Sequence, residues 1–440
     1  VDCSDHEVNI KILLGDVVQR GDMTEKQRNT LLEKMTDEVS ALVLRDNYQQ
    51  TQSLSVELSQ AETLLDRHQR LIRAMERAGD LNRRLEFLPD DEDIAERMQK
   101  KEGLCRPELA VILAYAKNIT YRELLDSDLP DDPMLEADLF RYFPTALQEH
   151  YPDAIQNHRL RREIIATAVT NSMINRTGPA FVSEMHQRTG RFESEIARAY
   201  TVVREVFSLR GIWAAIEALD NKTDAKIQIR MLRETERTIE RMTEWFLRNS
   251  DHPIDMKSSI ETYRPGVTTL KENLDTILSK FAKDDVAARL ERFQKKGVPD
   301  DLALSVAQLK VLSSSCDVVR LAGQADAPVV DVGRVYSTVG SRFGLDWLRS
   351  AANRIPSDNQ WHRLALGAII DDLWGLQSEI TSRVLAREGA GVDAVDKWSA
   401  RRIDTVDRLD TLLLELHSLP QLDLAMLAVL NRELRNLTAS

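Results

Sequence analysis

Apolar side chains in this chain recur every three to four residues over most of its length and seldom every second residue. In MTEKQRNTLLEKMTDEVSALVLRDN, Leu31, Met35, Val39 and Leu42 form one stripe, and Thr24 with Gln27 has the capping-box spacing that starts a helix. The pattern predicts a helix of about six turns. Downstream, Leu54, Leu58, Ala61, Leu65, His68, Ile72 and Met75 alternate steps of four and three. That seam predicts helices packed in coiled-coil fashion, closed by Gly79 as a C-cap. His68 lies on the seam and is expected as a packed residue rather than a ligand.

The same reading extends to the end of the chain. Pro107 in GLCRPELAVILAYAKN suits the first turn of a short apolar helix, where its missing N–H costs nothing. DSDLPDDP, residues 126–133, cannot continue a helix and marks a subdomain boundary. Helices are predicted around 156–176, 192–210, 224–249, 268–296 and 300–322, punctuated by Gly178-Pro179, by Asn249 to Pro253 and by Pro265-Gly266. PVVDVGRVYSTVG is rich in valine, yet Val332, Val335, Tyr336 and Val339 share one helical face, so a helix is predicted there too. Leu409, Leu412, Leu413 and Leu416 carry a last stripe before a stop near Pro420. No 20- to 50-residue repeat supports a solenoid. The fold class predicted is all-α, in multi-helical bundle-like domains.

Composition agrees. Leu, Glu, Arg, Ala and Asp dominate, and aromatics are 5% of 440 residues, which favours helices over strands. The formal charge of -12 argues against a nucleic acid or an anionic membrane as partner. No apolar run reaches the roughly 20 residues that span a bilayer. Cys3, Cys105 and Cys316 are odd in number and far apart, which fits a reducing compartment, and a cytoplasmic address is expected.

Chemically competent residues cluster in the opening stretch, VDCSDHEVNIK. His6-Glu7 begins like the zinc motif HExxH, but Ile10 stands where the second imidazole belongs, so no metal site is expected. No GxSxG elbow occurs. Gly389-Ala390-Gly391-Val392-Asp393-Ala394 nearly spells a dinucleotide fingerprint, but ITSRVLARE before it is a charged helical pattern rather than a buried strand, so the stretch is read as a helix-ending loop. The basic run HRLRRE puts Arg159 and Arg162 on one face of a helix; a phosphate or acidic partner would fit there, and the preferred reading is a solvated face that pairs with Glu163 and its neighbours. Thr167, Asn171 and Asn175 form a polar stripe, read as an interhelical hydrogen-bond network in preference to a ligand surface.

Read as one unit, VDCSDHEVNIK resembles the segment that closes the nucleotide-binding domain of glutamate dehydrogenases. There a Gly-Gly-Val turn beside the nicotinamide is followed by Val-x-x-Ser-x-x-Glu, which opens a long helix; Val1, Ser4 and Glu7 match it. The resemblance implies that Val1 lines the pocket for the substrate's aliphatic chain and that Ser4 hydrogen-bonds its side-chain carboxylate. A serine at a helix start suits an anion independently. The chain departs from the family at Asp5-His6, where family members carry aromatics; Cys3 and His6 are expected to pack around Ser4. Residues 22 to about 85, RPELAVILAYAK and NRTGPAFVSEM resemble the large bacterial NAD-specific glutamate dehydrogenases in particular.

The resemblance implies an organisation and a function. Residues 1–22 would end the catalytic domain as a short remnant of a Rossmann-type nucleotide-binding domain. Residues 23–130 would form a helical subdomain packed on the catalytic domain, and 131–440 a C-terminal helical domain. The parent enzyme would oxidise L-glutamate with NAD to 2-oxoglutarate and ammonia, as a homo-oligomer. Its catalytic and NAD-binding residues would lie upstream of Val1, so these 440 residues alone are expected to be inactive, with a structural, oligomerising or regulatory role. The alternative is a stand-alone helical scaffold or ligand-sensing protein whose opening only resembles a pocket edge.

Overall fold

In a computed structural model, which describes residues 5–356, 360–419 and 421–439, the regular elements are all helical, and no strand occurs among the described residues. In chain order the helices are α1 (Asp5–Gln19), α2 (Glu25–Leu58), α3 (Ala61–Ala78), α4 (Asp91–Lys100), α5 (Arg106–Leu125), α6 (Glu136–Tyr142), α7 (Thr145–His150), α8 (Pro152–Gln156), α9 (Arg161–Thr177), α10 (Phe181–Thr189), α11 (Glu193–Val206) and α12 (Leu209–Glu217). There follow α13 (Ala225–Asn249), α14 (Met256–Glu272), α15 (Leu274–Ile277), α16 (Lys280–Gln294), α17 (Asp300–Leu312), α18 (Ser315–Ala325), α19 (Val329–Arg342), α20 (Leu345–Ala352), α21 (Gln360–Glu388), α22 (Ala394–Ala400), α23 (Ile403–His417) and α24 (Leu424–Ala439). They form two compact units, Val1–Glu205 with Gln228–Ser259, and Val206–Ile227 with Ile260–Ser440. DSDLPDDP makes short 3-10 turns inside the first unit.

In the first unit α9 is central. It packs against α2, α5 and α6, and Ile165, Ala166, Val169, Met173 and Ile174 are all fully buried. A helix apolar on so much of its circumference is stable only when wrapped by others. In the second unit α21 has that role, with Leu373, Leu376, Ile380 and Val384 packed among α18, α19, α20, α22 and α24.

Local signals are obeyed. Thr24 Oγ1 accepts the Gln27 N–H and Gln27 Oε1 accepts the Thr24 N–H, which closes the capping box. Gly79 ends α3 in the left-handed conformation at φ 81°. The valine-rich segment is helix α19, as its one-sided stripe requires.

Other elements differ from expectation. The helix predicted from Thr24 runs on to Leu58, and the 4-3 seam then crosses a break at Ser59-Gln60. The break has a physical reason: His68 Nε2 lies 2.9 Å from Glu57 Oε2. Residues eleven apart in a continuous helix would stand roughly 16 Å apart along the axis. Pro265-Gly266 does not interrupt its helix, because α14 passes through both. The neighbouring Glu261 is exposed, so the carbonyl that loses its N–H partner faces water, and a Cβ on Gly266 would stand 2.5 Å from Cγ2 of Val319. Predicted helix 268–296 is divided into the end of α14, α15 and α16, where Ser279 caps α16 through the Ala282 N–H. Predicted helix 300–322 bends by 58° between α17 and α18. There Ser313, Ser314 and Ser315 each donate a hydroxyl to a backbone carbonyl of the preceding turn. No single described helix is long and apolar enough to cross a membrane.

Candidate functional site

Val1 and Ser4, the residues expected to touch substrate, lie outside the described residues, as does Cys3. The description starts with α1, whose first turn carries Asp5 and Glu7, the charge that favours a helix N-terminus. Its apolar face, Ile10, Leu13, Leu14 and Val17, is buried. Ile10, at the position of the missing imidazole, is core, and no group of three metal-ligating side chains occurs among the described residues.

His6 is a packed residue with specific partners. Only 3% exposed, it donates Nδ1–H to the Tyr142 carbonyl at 3.0 Å and sets Nε2 3.0 Å from the Asp46 carboxylate. Its ring stacks on that of Tyr142, centroids 4.0 Å apart at 26°. One turn on, the Asn9 amide donates to Tyr142 Oη at 2.8 Å. His158 Nε2 donates to the Asn9 carbonyl at 3.0 Å while its Nδ1 accepts the Leu160 N–H at 3.1 Å, which fixes a neutral tautomer. Burial pushes this imidazole below its usual pKa, against the opposing effect of the Asn9 bond.

The basic run HRLRRE is only partly helical, because α9 starts at Arg161. Arg159 pairs with Asp16 of α1, and Arg162 pairs with Asp131 and donates to the carbonyls of Leu125 and Ser127 at 2.8 Å each. Both guanidinium groups are engaged, but with Asp16 and Asp131, distant in sequence, rather than with Glu163 and its neighbours.

A second concentration of chemistry is buried where α2, α3, α9, α10 and α13 supply polar side chains. Besides the Glu57–His68 contact, Gln60 donates to Glu236 at 3.2 Å, and Arg67 bridges Glu184 and Glu240. Arg70 pairs with Asp66 and Glu184. Glu57, Asn175, Arg176, Gly178, Thr235 and Glu236 line a cavity of about 10 Å³, room for one water and far too small for a metabolite. Asn175, last of the polar stripe, is buried there with its Oδ1 unpaired by protein. The spacing of the stripe placed Asn175 at a polar helix interface, but Glu57 and Glu236, distant in sequence, gave no sign of sharing it.

Burial raises the pKa of Glu236 well above its usual value, and the nearby charges of Glu240 and Glu57 add to the effect. The folded chain therefore holds a proton that the unfolded chain releases above about pH 4.3, so this group makes stability fall as pH rises, by at most ~1.4 kcal/mol per pH unit. Glu236→Gln keeps the shape and the Gln60 bond without the ionisation. We expect its urea midpoint to exceed the wild type's at pH 7.5 and the gap to close at pH 4.5; an equal gap at both would contradict a protonated Glu236.

In the second unit Thr276, Ser279, Asp331, Arg334, Thr338 and Ser341 border a cleft of about 250 Å³ whose far wall is the loop Ala390-Gly391-Val392. Thr276, Thr338 and Ser341 give their hydroxyl protons to nearby backbone carbonyls, and Arg334 pairs with Asp331 at 2.6 Å. The glycine loop follows helix α21 and precedes the seven-residue α22. It lacks the strand and the long helix that would hold a pyrophosphate.

Residues 101–436 match the family described as "Glutamate dehydrogenase, C-terminal". The chain belongs to that family. Residues 1–57, spanning α1 and nearly all of α2, match "Bacterial NAD-glutamate dehydrogenase, catalytic domain". The NAD-specific glutamate dehydrogenases of Halomonas elongata and Pseudomonas aeruginosa are each 39% identical to this chain over 443 residues. That of Mycobacterium tuberculosis is 33% identical over 441. Each alignment covers 100% of this chain and 27% of the relative, so the chain spans about a quarter of the length of these curated glutamate dehydrogenases.

Proposed function

We propose that these residues are the C-terminal helical part of an NAD-specific glutamate dehydrogenase, which oxidatively deaminates L-glutamate to 2-oxoglutarate and ammonia. The observation that carries the reading is the pair of family matches on one chain: the catalytic-domain description fits residues 1–57 and the C-terminal description fits 101–436. In this reading 1–22 end the catalytic domain, 23–130 pack as a helical subdomain on it, and 131–440 form the C-terminal helical domain. The helical parts serve structure, assembly into a homo-oligomer, or regulation, and the enzyme works in the cytoplasm.

NAD finds no fitting site among the described residues, since the one glycine-rich loop resembling a fingerprint lacks the strand before it and a long helix after it. In this reading the cofactor and the catalytic groups belong to other parts of the enzyme. What this chain supplies is substrate orientation: Val1 against the aliphatic chain of glutamate and Ser4 donating to its side-chain carboxylate. A hydrogen bond to a charged group contributes about 1.5–3 kcal/mol, roughly ten- to a hundredfold in affinity. Ser4→Ala in the full-length enzyme is expected to raise KM for L-glutamate by about that factor with KM for NAD unchanged. An unchanged glutamate KM would remove Ser4 from the pocket.

A further inference from the structure

We propose that the cleft of the second unit is a binding site for an uncharged polyol of monosaccharide size.

The cleft is preformed. One wall is α15 with the turn after it, the second is α19, and the third is the loop before α22. Each wall is anchored in the core of the unit, through buried Ile277 on the first, Val335 on the second and Val395 just after the loop. The Ser279 N–H donates to Ser337 Oγ at 2.9 Å, which ties the first wall to the second. A ligand entering between anchored walls loses little of its binding energy to ordering them. The size is set as well. A cavity of about 150 Å³ holds a bare six-membered carbon ring. At about 250 Å³ the cleft has room for such a ring together with hydroxyl substituents.

The polar lining selects the chemical class. Thr276, Thr338 and Ser341 give their hydroxyl protons to the carbonyls of Asn273, Arg334 and Thr338, at 3.0, 2.8 and 3.1 Å. Each of these oxygens is left with lone pairs to offer, so the lining accepts hydrogen bonds and the ligand must bring the donors. The two charges in the lining cancel, because Arg334 Nη1 lies 2.6 Å from Asp331 Oδ1. An anion would meet the hydroxyl lone pairs and an arginine already neutralised, in a chain of formal charge -12. A cation would meet the guanidinium. The hydroxyl groups of a polyol meet neither obstacle: they donate to the oxygens of the cleft and accept from the N–H groups of Arg334 that Asp331 does not use.

The rim supplies the apolar part. Val392 is 92% exposed, on the loop that faces α19 across the cleft, and Ala390 lines the cleft beside it. The C–H face of a ring seated in the cleft covers these side chains and removes their apolar surface from water.

The test is titration calorimetry on the full-length polypeptide with D-glucose, D-galactose, D-mannose and myo-inositol. Calorimetry is preferred to melting curves because sugars stabilise any folded chain through exclusion from its surface. At least one of these is expected to bind saturably in the millimolar range, one molecule per chain. Thr338→Val and Ser341→Ala each remove one acceptor at an exposed position, and each is expected to weaken that binding about threefold to tenfold. Glucosamine, glucuronate and L-leucine, which carry a positive charge, a negative charge and both, are expected to bind more weakly than the best neutral probe.

No saturable binding by any of the neutral probes in the millimolar range would overturn the proposal. Wild-type affinity in both variants would do the same, since the sugar would then be bound outside the cleft. Tighter binding by a charged probe, lost in Thr338→Val and Ser341→Ala, would keep the cleft as a site but contradict its assignment to an uncharged polyol.

Discussion

Arg204→Ala is expected to destabilise the first unit by about 3–5 kcal/mol, the cost of leaving one member of a buried ion pair without its partner. Arg204 is 2% exposed, and its Nη2 donates to Asp138 Oδ2 at 2.8 Å. Nε donates to Glu205 at 3.1 Å, Nη1 reaches Ser172 Oγ at 3.5 Å, and the guanidinium stands 5.9 Å from the centre of the Tyr200 ring. Burial disfavours this charge, yet Asp138, Tyr200 and Glu205 together raise its pKa above the usual arginine value. Truncation takes from Asp138, itself 7% exposed, its 2.8 Å bond to Arg204, while the contact with Arg141 is longer at 3.5 Å. The double variant Arg204→Met with Asp138→Leu should recover most of the loss, because burying neither charge removes the desolvation cost of both. Urea unfolding of the single and double variants measures this directly. A single variant within about 1 kcal/mol of wild type would mean that the pair is solvated.

Gly178→Ala should be nearly as damaging, at about 3 kcal/mol or more, for two separate reasons. The glycine sits at φ 79°, ψ 171°, a conformation almost closed to residues with a side chain. A Cβ there would also run into the Glu57 carboxylate, which is buried and can make way only by giving up its contact with His68. The same change at Gly190, where φ is 68° but the space around the Cβ is empty, should cost only the backbone strain, about 1–2 kcal/mol. Comparing the two melting curves sets the milder left-handed strain at Gly190 against the combined strain and collision at Gly178.

These two residues also mark how far the sequence could be read. Signals that act within one turn were legible: the Thr24–Gln27 box, the left-handed Gly79, Pro107 in the first turn of α5, and the one-sided stripe of α19 all correspond to observed helix boundaries or faces. Breaks imposed from a distance were not. The seam through Leu58 and Ala61 is regular in sequence, and the chain nevertheless turns there because Glu57 and His68 meet. Pro265-Gly266 reads as a stop, yet α14 continues, since close approach to Val319 and an exposed preceding turn accommodate both residues.

The candidate site was legible unevenly for the same reason. The expected packing of His6 around Ser4 lies outside the described residues, and nothing within VDCSDHEVNIK pointed to the partners His6 does have, Tyr142, 136 residues away, and Asp46, 40 residues away. Arg204 and Asp138, 66 residues apart, are equally silent in sequence, because apolar spacing records which face is buried and not which polar partner is waiting there.

Glutamate-dependent reduction of NAD, measured on the full-length polypeptide and on residues 1–440 alone, tests the central claim most directly. Turnover is expected from the full-length enzyme and none from the 440 residues at any glutamate concentration. Turnover by the isolated chain would contradict it, since the catalytic and cofactor-binding groups would then have to lie among residues assigned here to substrate orientation and helical packing.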